Sequence, residues 1–187
     1  GGSSAKSLLG HVEAVKELKA PVECGEMPVP DMAVVALASA GTAVGLAAGF
    51  ADLKLPTRVI GVATAGGFCV ARLWAFLQLM KLALVKPALF VGACLRLRID
   101  TRFRGPRYGL PSEASENARR LAAESGIHLD PVYGAKAFAF ALHLARKNRL
   151  ENILFWQTFS TTQMESLLEK APLFSELPVG LKNLLTG

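Results

Sequence analysis

The chain has 187 residues, 51% of them apolar, and a formal charge of +6; this supports one domain with its own core and excludes a disordered chain. Its three cysteines, Cys24, Cys69 and Cys94, lie too far apart for a disulfide framework or a zinc ligand set, no Cys–His arrangement points to a thiol nucleophile, and His11, His128 and His143 form no metal-binding pair. The basic balance permits contact with RNA, anionic lipid or an acidic partner, and the cysteine usage fits a reducing compartment.

The chain opens Gly1-Gly2-Ser3-Ser4, without an initiator Met or a secretory signal, which leaves a cloning remnant, a processed terminus or a truncation open. Ser3 or Ser4 caps a predicted helix over Ala5 to Leu18, whose Leu8, Leu9, Val12, Val15 and Leu18 recur at helical spacing. Pro21 to Pro30 holds three prolines and is predicted to be a linker that cannot continue a helix. Met32 to Ala38 is a continuous apolar run and predicts a buried strand. Ser39 to Thr42 is a turn, Ala43 to Leu53 a small-residue helix stopped by Pro56, and Arg58 to Ala63 a second strand. Strand, helix, strand in that order makes a βαβ unit and hence a parallel sheet in an α/β fold.

After a turn at Ala65 to Gly67, the segment Phe68 to Leu97 is strongly apolar. Arg72, Gln78, Lys81 and Lys86 interrupt it and Pro87 breaks it. Two buried or interfacial helices meeting near Pro87 are expected, with an apolar face for a partner, and not a membrane span. Trp74 and Trp156 are expected in the core. Arg98 to Leu110 reads as a loop. The dense basic run Arg96, Arg98, Arg102, Arg104 and Arg107 is either its solvated face or a contact for RNA or another anion.

Pro111-Ser112 opens a helix through Glu124, with Ser112 as cap and Gly126 as terminator. Ile127 to Val132 is expected to be extended, Ala135 to Arg149 helical, and Ile153 to Trp156 a third strand. A turn at Thr158 to Thr162, a short helix at Gln163 to Lys170 and a final turn near Gly180 to Leu185 complete the prediction.

Several segments, read in order, carry a family resemblance. They are Gly1-Gly2-Ser3-Ser4 with Leu9-Gly10-His11-Val12 and Glu17-Leu18; Ser39-Ala40-Gly41-Thr42-Ala43-Val44-Gly45-Leu46; Arg58-Val59-Ile60-Gly61-Val62; Tyr108-Gly109; Gly126-Ile127-His128-Leu129-Asp130-Pro131-Val132-Tyr133 with Lys136-Ala137; and Asn152-Ile153-Leu154-Phe155 with Thr158. Together they resemble the D-cysteine desulfhydrase and aminocyclopropane-carboxylate deaminase family of pyridoxal-phosphate (PLP) enzymes. The resemblance implies a three-layer α/β sandwich with a mostly parallel sheet, of the tryptophan-synthase-β type. Residues 1–187 would then form a single domain equivalent to the C-terminal, cofactor-binding part of that fold.

The same resemblance assigns candidate cofactor residues. Ser39, Gly41 and Thr42 match the phosphate turn, Tyr133 the tyrosine beside the cofactor, and Thr158 the closing loop. Departures gather at the same place. Ala40 stands where the family has Gly, Gly134 where a Glu or Thr meets the ring nitrogen, and Phe159-Ser160 where Gly-Gly follows Thr. The family's Schiff-base lysine, in an Asn-Lys-x-Arg-Lys context, and its Ser-Asn carboxylate-binding segment have no match in this sequence, and Lys147-Asn148-Arg149 runs in the reverse order. No catalytic residue is assigned. The expectation is a domain without cofactor that serves as a structural or interaction subunit of a larger assembly. A mitochondrial ribosome or respiratory complex is the expected setting, with the cytoplasm as the other compartment. The alternative is the C-terminal half of an active PLP enzyme whose lysine comes from elsewhere, releasing ammonia and a 2-oxo acid.

Overall fold

A computed structural model describes residues 4–147, 152–158, 172–178 and 182. Its elements in chain order are α1 (Ala5–Lys16), α2 (Lys19–Glu23), β1 (Met32–Leu37), α3 (Gly41–Asp52), β2 (Arg58–Ala63), α4 (Phe68–Val85), α5 (Pro87–Arg96), β3 (Leu97–Asp100), α6 (Glu113–Glu124), α7 (Gly134–Lys147) and β4 (Ile153–Phe155). A short 3₁₀ turn follows at Phe174–Glu176.

The four strands form one parallel sheet in the order β3-β2-β1-β4. In register, Val34 lies between Ile60 of β2 and Phe155 of β4, and Gly61 lies beside Ile99 of β3. Side chains alternate across the sheet, as the two-residue period of a strand requires. Ala33, Val35 and Leu37 of β1 and Val59 and Ala63 of β2 pack into a core shared with α1, α3, α4 and α5. Met32, Val34, Ile60 and Val62 point the other way, onto Ala137, Phe140 and Ala141 of α7. With α6 packed beside α7, this is the three-layer α/β sandwich expected. Both faces of the sheet are covered, which explains why β1 and β2 are continuously apolar.

Ser4 caps α1 by accepting the Ser7 N–H at 3.1 Å, and Leu8, Val12 and Val15 form its buried stripe. The helix presses tightly on α3: a Cβ on Gly45 would stand 2.6 Å from Cβ of His11, and one on Gly49 2.7 Å from Cβ of Val15. Glycine at these two positions lets the backbones approach and holds His11 over the start of α3.

Three expectations need correction. Pro21 does not merely interrupt a linker; it sits in the first turn of the short α2, where a helix has no use for its missing N–H. Leu97–Asp100 is a strand, not the end of a helix and a loop, because Leu97 and Ile99 pack into the core while the alternate Arg98 points to solvent beside the free edge of β2. Residues 127–132 lie outside the sheet and lead as loop and turn into α7. Trp74 is 43% exposed, because α4 buries a different face.

Two helices do meet at Pro87, which opens α5. By length and composition α4 is sufficient to cross a membrane, with a mean hydropathy of 1.7 over 18 residues. Its buried residues, Ala71, Ala75, Gln78 and Leu82, form one stripe toward the domain, with Leu79 packed beside them. Ser112 caps α6 as expected, accepting the Ser115 N–H at 3.2 Å. The expected helix at Gln163 to Lys170 lies outside the described residues, as do the turns after Thr158 and near Gly180 to Leu185 apart from Lys182.

Candidate functional site

β1 ends at Leu37 and α3 begins at Gly41, so the chain reverses over three residues at the carboxyl edge of the sheet. This is where parallel α/β sheets place their ligands. Ala40 makes the reversal possible by adopting the left-handed conformation, φ 64° and ψ −1°. A side chain there costs about 1 kcal/mol relative to Gly.

Ala40 is the N-cap of α3, and no side chain caps the helix. The first backbone bond of the helix runs from Val44 N–H to the Ala40 carbonyl at 3.0 Å. The N–H groups of Gly41, Thr42 and Ala43 therefore have no acceptor within the helix and carry its positive dipole end. They adjoin a cavity of about 240 Å³ lined by Ala36, Ala38, Ser39, Ala40, Gly41, Thr42, Tyr133 and Thr158. All five residues assigned from the sequence, Ser39, Gly41, Thr42, Tyr133 and Thr158, thus line one cavity.

The hydroxyl of Thr42 lies 3.1 Å from Nε2 of His11. Half-burial lowers the pKa of His11, which favours the neutral imidazole. A neutral ring suits a neighbour of a helix N-terminus, where a second positive charge would be repelled.

Tyr133 is fixed from below by Asp130. One carboxylate oxygen accepts the N–H groups of Val132 at 3.0 Å and Tyr133 at 2.6 Å, and the other accepts that of Gly134 at 2.8 Å. The Asp-Pro-Val-Tyr run is thus the capping loop of α7. At its far end the Tyr133 hydroxyl hydrogen-bonds that of Tyr108, with the rings edge-to-face at 6.1 Å. That bond raises the Tyr133 pKa and keeps the phenol protonated. Tyr108 is the residue whose place beside the site was not foreseen. It lies 25 positions from Tyr133, and no local spacing links the two.

Thr158 follows β4 at the opposite side. Trp156 N–H extends the ladder to the Val34 carbonyl at 2.8 Å, and Gln157 Nε2 donates to the His128 carbonyl at 2.9 Å. Phe159 lies outside the described residues.

The site fits one end of PLP and not the other. Unpaired amides with the hydroxyls of Ser39, Thr42 and Thr158 are donors suited to a phosphate. Among the described residues that line the cavity there is no lysine, and Tyr133 is the one ionisable side chain. Gly134 presents no side chain to a ring nitrogen, and a Cβ there would stand 2.9 Å from Oδ2 of Asp130. The nearby buried amine, on Lys136, donates instead to the Arg107 carbonyl at 3.3 Å, with its pKa lowered by burial.

The arginine run is largely occupied by the fold. Arg96 donates to the carbonyls of Leu55 at 3.0 Å and Gly92 at 3.2 Å, Arg102 pairs with Asp100 at 2.7 Å, and Arg104 donates to the Gly66 carbonyl at 3.1 Å. Arg107 contributes its carbonyl to Lys136. Among the described residues, no cluster of His, Cys, Asp and Glu is arranged to hold a metal.

Residues 2–156 match the family described as pyridoxal-phosphate dependent enzyme. A D-cysteine desulfhydrase of Salmonella paratyphi C is 36% identical over 140 residues, covering 74% of this chain and 41% of the relative. A putative 1-aminocyclopropane-1-carboxylate deaminase of Pyrococcus furiosus is 36% identical over 163 residues, covering 84% of this chain and 47% of the relative. The crystal structure of an ACC deaminase homologue superimposes with a TM-score of 0.66 at 28% identity, over 90% of this chain and 50% of the other. The chain spans somewhat less than half the length of these curated relatives. It belongs to the pyridoxal-phosphate-dependent enzyme family, as a fold-type II domain related to D-cysteine desulfhydrase and aminocyclopropane-carboxylate deaminase.

Proposed function

We propose that this domain is a non-catalytic derivative of the PLP fold, one that keeps the anion cradle at the start of α3 and has given up the chemistry of the ring. In this reading it serves as a structural or interaction subunit of a larger assembly, and its net charge of +6 suits an anion-rich mitochondrial one. The observation that carries the proposal is the cavity wall: among the described residues it is built from Ala, Ser, Gly, Thr and Tyr, and Gly134, next to Tyr133, has no side chain to offer a ring nitrogen. PLP chemistry needs a partner that tunes the ring nitrogen.

The test is a titration of the protein with PLP, followed by visible absorbance and, after borohydride reduction, by intact mass. The expected result is no stoichiometric Schiff base and no ammonia from D-cysteine or aminocyclopropane-carboxylate. A single reduced adduct on a residue facing the α3 cavity would overturn the proposal.

A second reading has one observation in its favour. The five candidate residues line one cavity, as they would in the cofactor domain of a working enzyme whose amine is contributed by another segment. Ammonia and 2-oxo acid formation from D-cysteine by the protein purified with whatever chain it pairs with would establish that reading.

A further inference from the structure

Outside the cofactor site, the least ordinary feature of the molecule is the outer face of α4 and α5. Leu73, Phe76, Leu84, Val91 and Leu95 are all more than half exposed, and Leu84 reaches 85%. Phe68, Trp74 and Leu77 of α4 are exposed as well. The inward stripe of α4, by contrast, is Ala71, Ala75, Gln78 and Leu82. The helix therefore turns its larger apolar side chains outward, the reverse of what an uncovered surface helix does.

The polar content of this face is one-sided. All 15 acidic side chains of the chain lie outside positions 53–99, whereas Arg72, Lys81, Lys86, Arg96 and Arg98 lie within α4, α5 and the start of β3. Positions 68–98 contain no Ser, Thr, Asn, His or Tyr, and the amide of Gln78 is buried. Protein interfaces carry about one hydrogen bond per 100–200 Å² and a mixed polar rim. A surface of large apolar side chains and cations, whose neutral polar side-chain groups are the Trp74 indole N–H and the Cys69 thiol, matches an anionic bilayer interface instead.

A groove of about 530 Å³ between α4 and the α5–β3 junction sharpens the match. Phe68, Phe76, Leu79 and Leu97 line it, together with Arg72 and Arg98. Arg72 lies 4.8 Å over the Phe68 ring, and Arg98 Nη1 donates to the carbonyls of Leu95 at 3.1 Å and Leu97 at 2.8 Å. Neither makes an ion pair with a carboxylate among the described residues. Apolar walls with two such guanidiniums suit acyl chains below a lipid phosphate.

We infer that the α4–α5 face docks in the plane of an anionic phospholipid membrane, with α4 lying along the interface and not crossing it. The inward stripe decides the orientation: Ala71, Ala75 and Leu82 belong to the main core, and a crossing α4 would strip them from it. The inference is independent of whether the α3 cavity holds any ligand.

The test is flotation of the full chain with vesicles of phosphatidylcholine alone or mixed with phosphatidylglycerol. Binding is expected to the mixed vesicles, weakening as salt rises, and to be released by alkaline carbonate. Arg72→Ala with Arg98→Ala should lower the partition coefficient roughly 10- to 30-fold. Leu73→Glu with Phe76→Glu should abolish it. Circular dichroism and melting temperature should stay unchanged, since these side chains are exposed. Absence of binding to phosphatidylglycerol vesicles overturns the inference, as do equal binding by both double variants and retention after carbonate. A homo-oligomer dispersed by the Leu73→Glu, Phe76→Glu pair, without vesicle binding, would assign the face to a protein partner and likewise overturn it.

Discussion

Oδ2 of Asp130 accepts the Gly134 N–H at 2.8 Å, and the same oxygen would lie 2.9 Å from a Cβ placed on residue 134. The carboxylate thus organises the start of α7 and also occupies the space next to where a ring-nitrogen partner would begin. Asp130→Ala removes the acceptor of three N–H groups and should cost about 1–2 kcal/mol. Gly134→Ala should also destabilise, by less than about 1 kcal/mol, because its Cβ displaces the carboxylate against a small gain in helix propensity. In the Asp130→Ala background the clash is gone, so Gly134→Ala should there be neutral or stabilising. Urea unfolding of the four proteins measures this; additive losses would contradict the geometry.

His11 and Thr42 predict a pH dependence. Burial holds the folded-state pKa of His11 below the roughly 6.5 of an unfolded chain. Between those values the unfolded chain binds the additional proton. The histidine's contribution is therefore complete above about pH 6.5 and is lost as pH falls through that value toward the folded pKa. Thermal unfolding should show a lower melting temperature at about pH 5.5 than at about pH 7.5. His11→Gln should flatten that difference, and an unchanged slope in the variant would assign it to other groups.

How much of this was legible in the sequence depended on where the deciding interaction lay. β1 and β2 announce themselves because strands covered on both faces are unbroken apolar runs, and their βαβ connection forces them parallel. The Ser39 to Thr42 turn and the Asp130 to Tyr133 run were legible as motifs for a local reason: each is a helix start, the first with its amides left unpaired and the second with them held by Asp130. β3 was not legible, because Leu97 and Ile99 alternate with arginines and only the free edge of β2 makes them a strand. Trp74 misled, because size and apolarity usually mean burial, whereas α4 buries its alanines. The Tyr108–Tyr133 pair depends on a loop closing over 25 residues, and no periodicity records it.

Ala40 offers a direct probe of the cradle. Its left-handed backbone, φ 64°, is one Gly accepts without strain, but its methyl is nearly fully buried. Relief of strain and loss of a buried methyl oppose each other at about 1 kcal/mol apiece, so Ala40→Gly should leave stability nearly unchanged. What should change is access to the amides of Gly41 and Thr42. Calorimetric titration with inorganic phosphate should show tighter binding to Ala40→Gly than to the unaltered chain. Equal affinities would mean that the methyl does not obstruct the approach.

Gln78 supplies the last prediction. Its side chain is fully buried on the inward stripe of α4, and neither amide atom has a hydrogen-bond partner among the described residues. An unpaired buried amide costs about 1–3 kcal/mol, more than the packing of an amide contributes over that of an apolar chain of the same length. Gln78→Met keeps the volume and the unbranched shape while removing both polar atoms. It should raise the unfolding free energy by about 1–2 kcal/mol, with the urea m-value unchanged. A loss of stability would show that the amide meets a partner beyond the described residues, and the same variant should then also loosen α4 in hydrogen exchange. A gain would leave α4 held to the domain by packing alone.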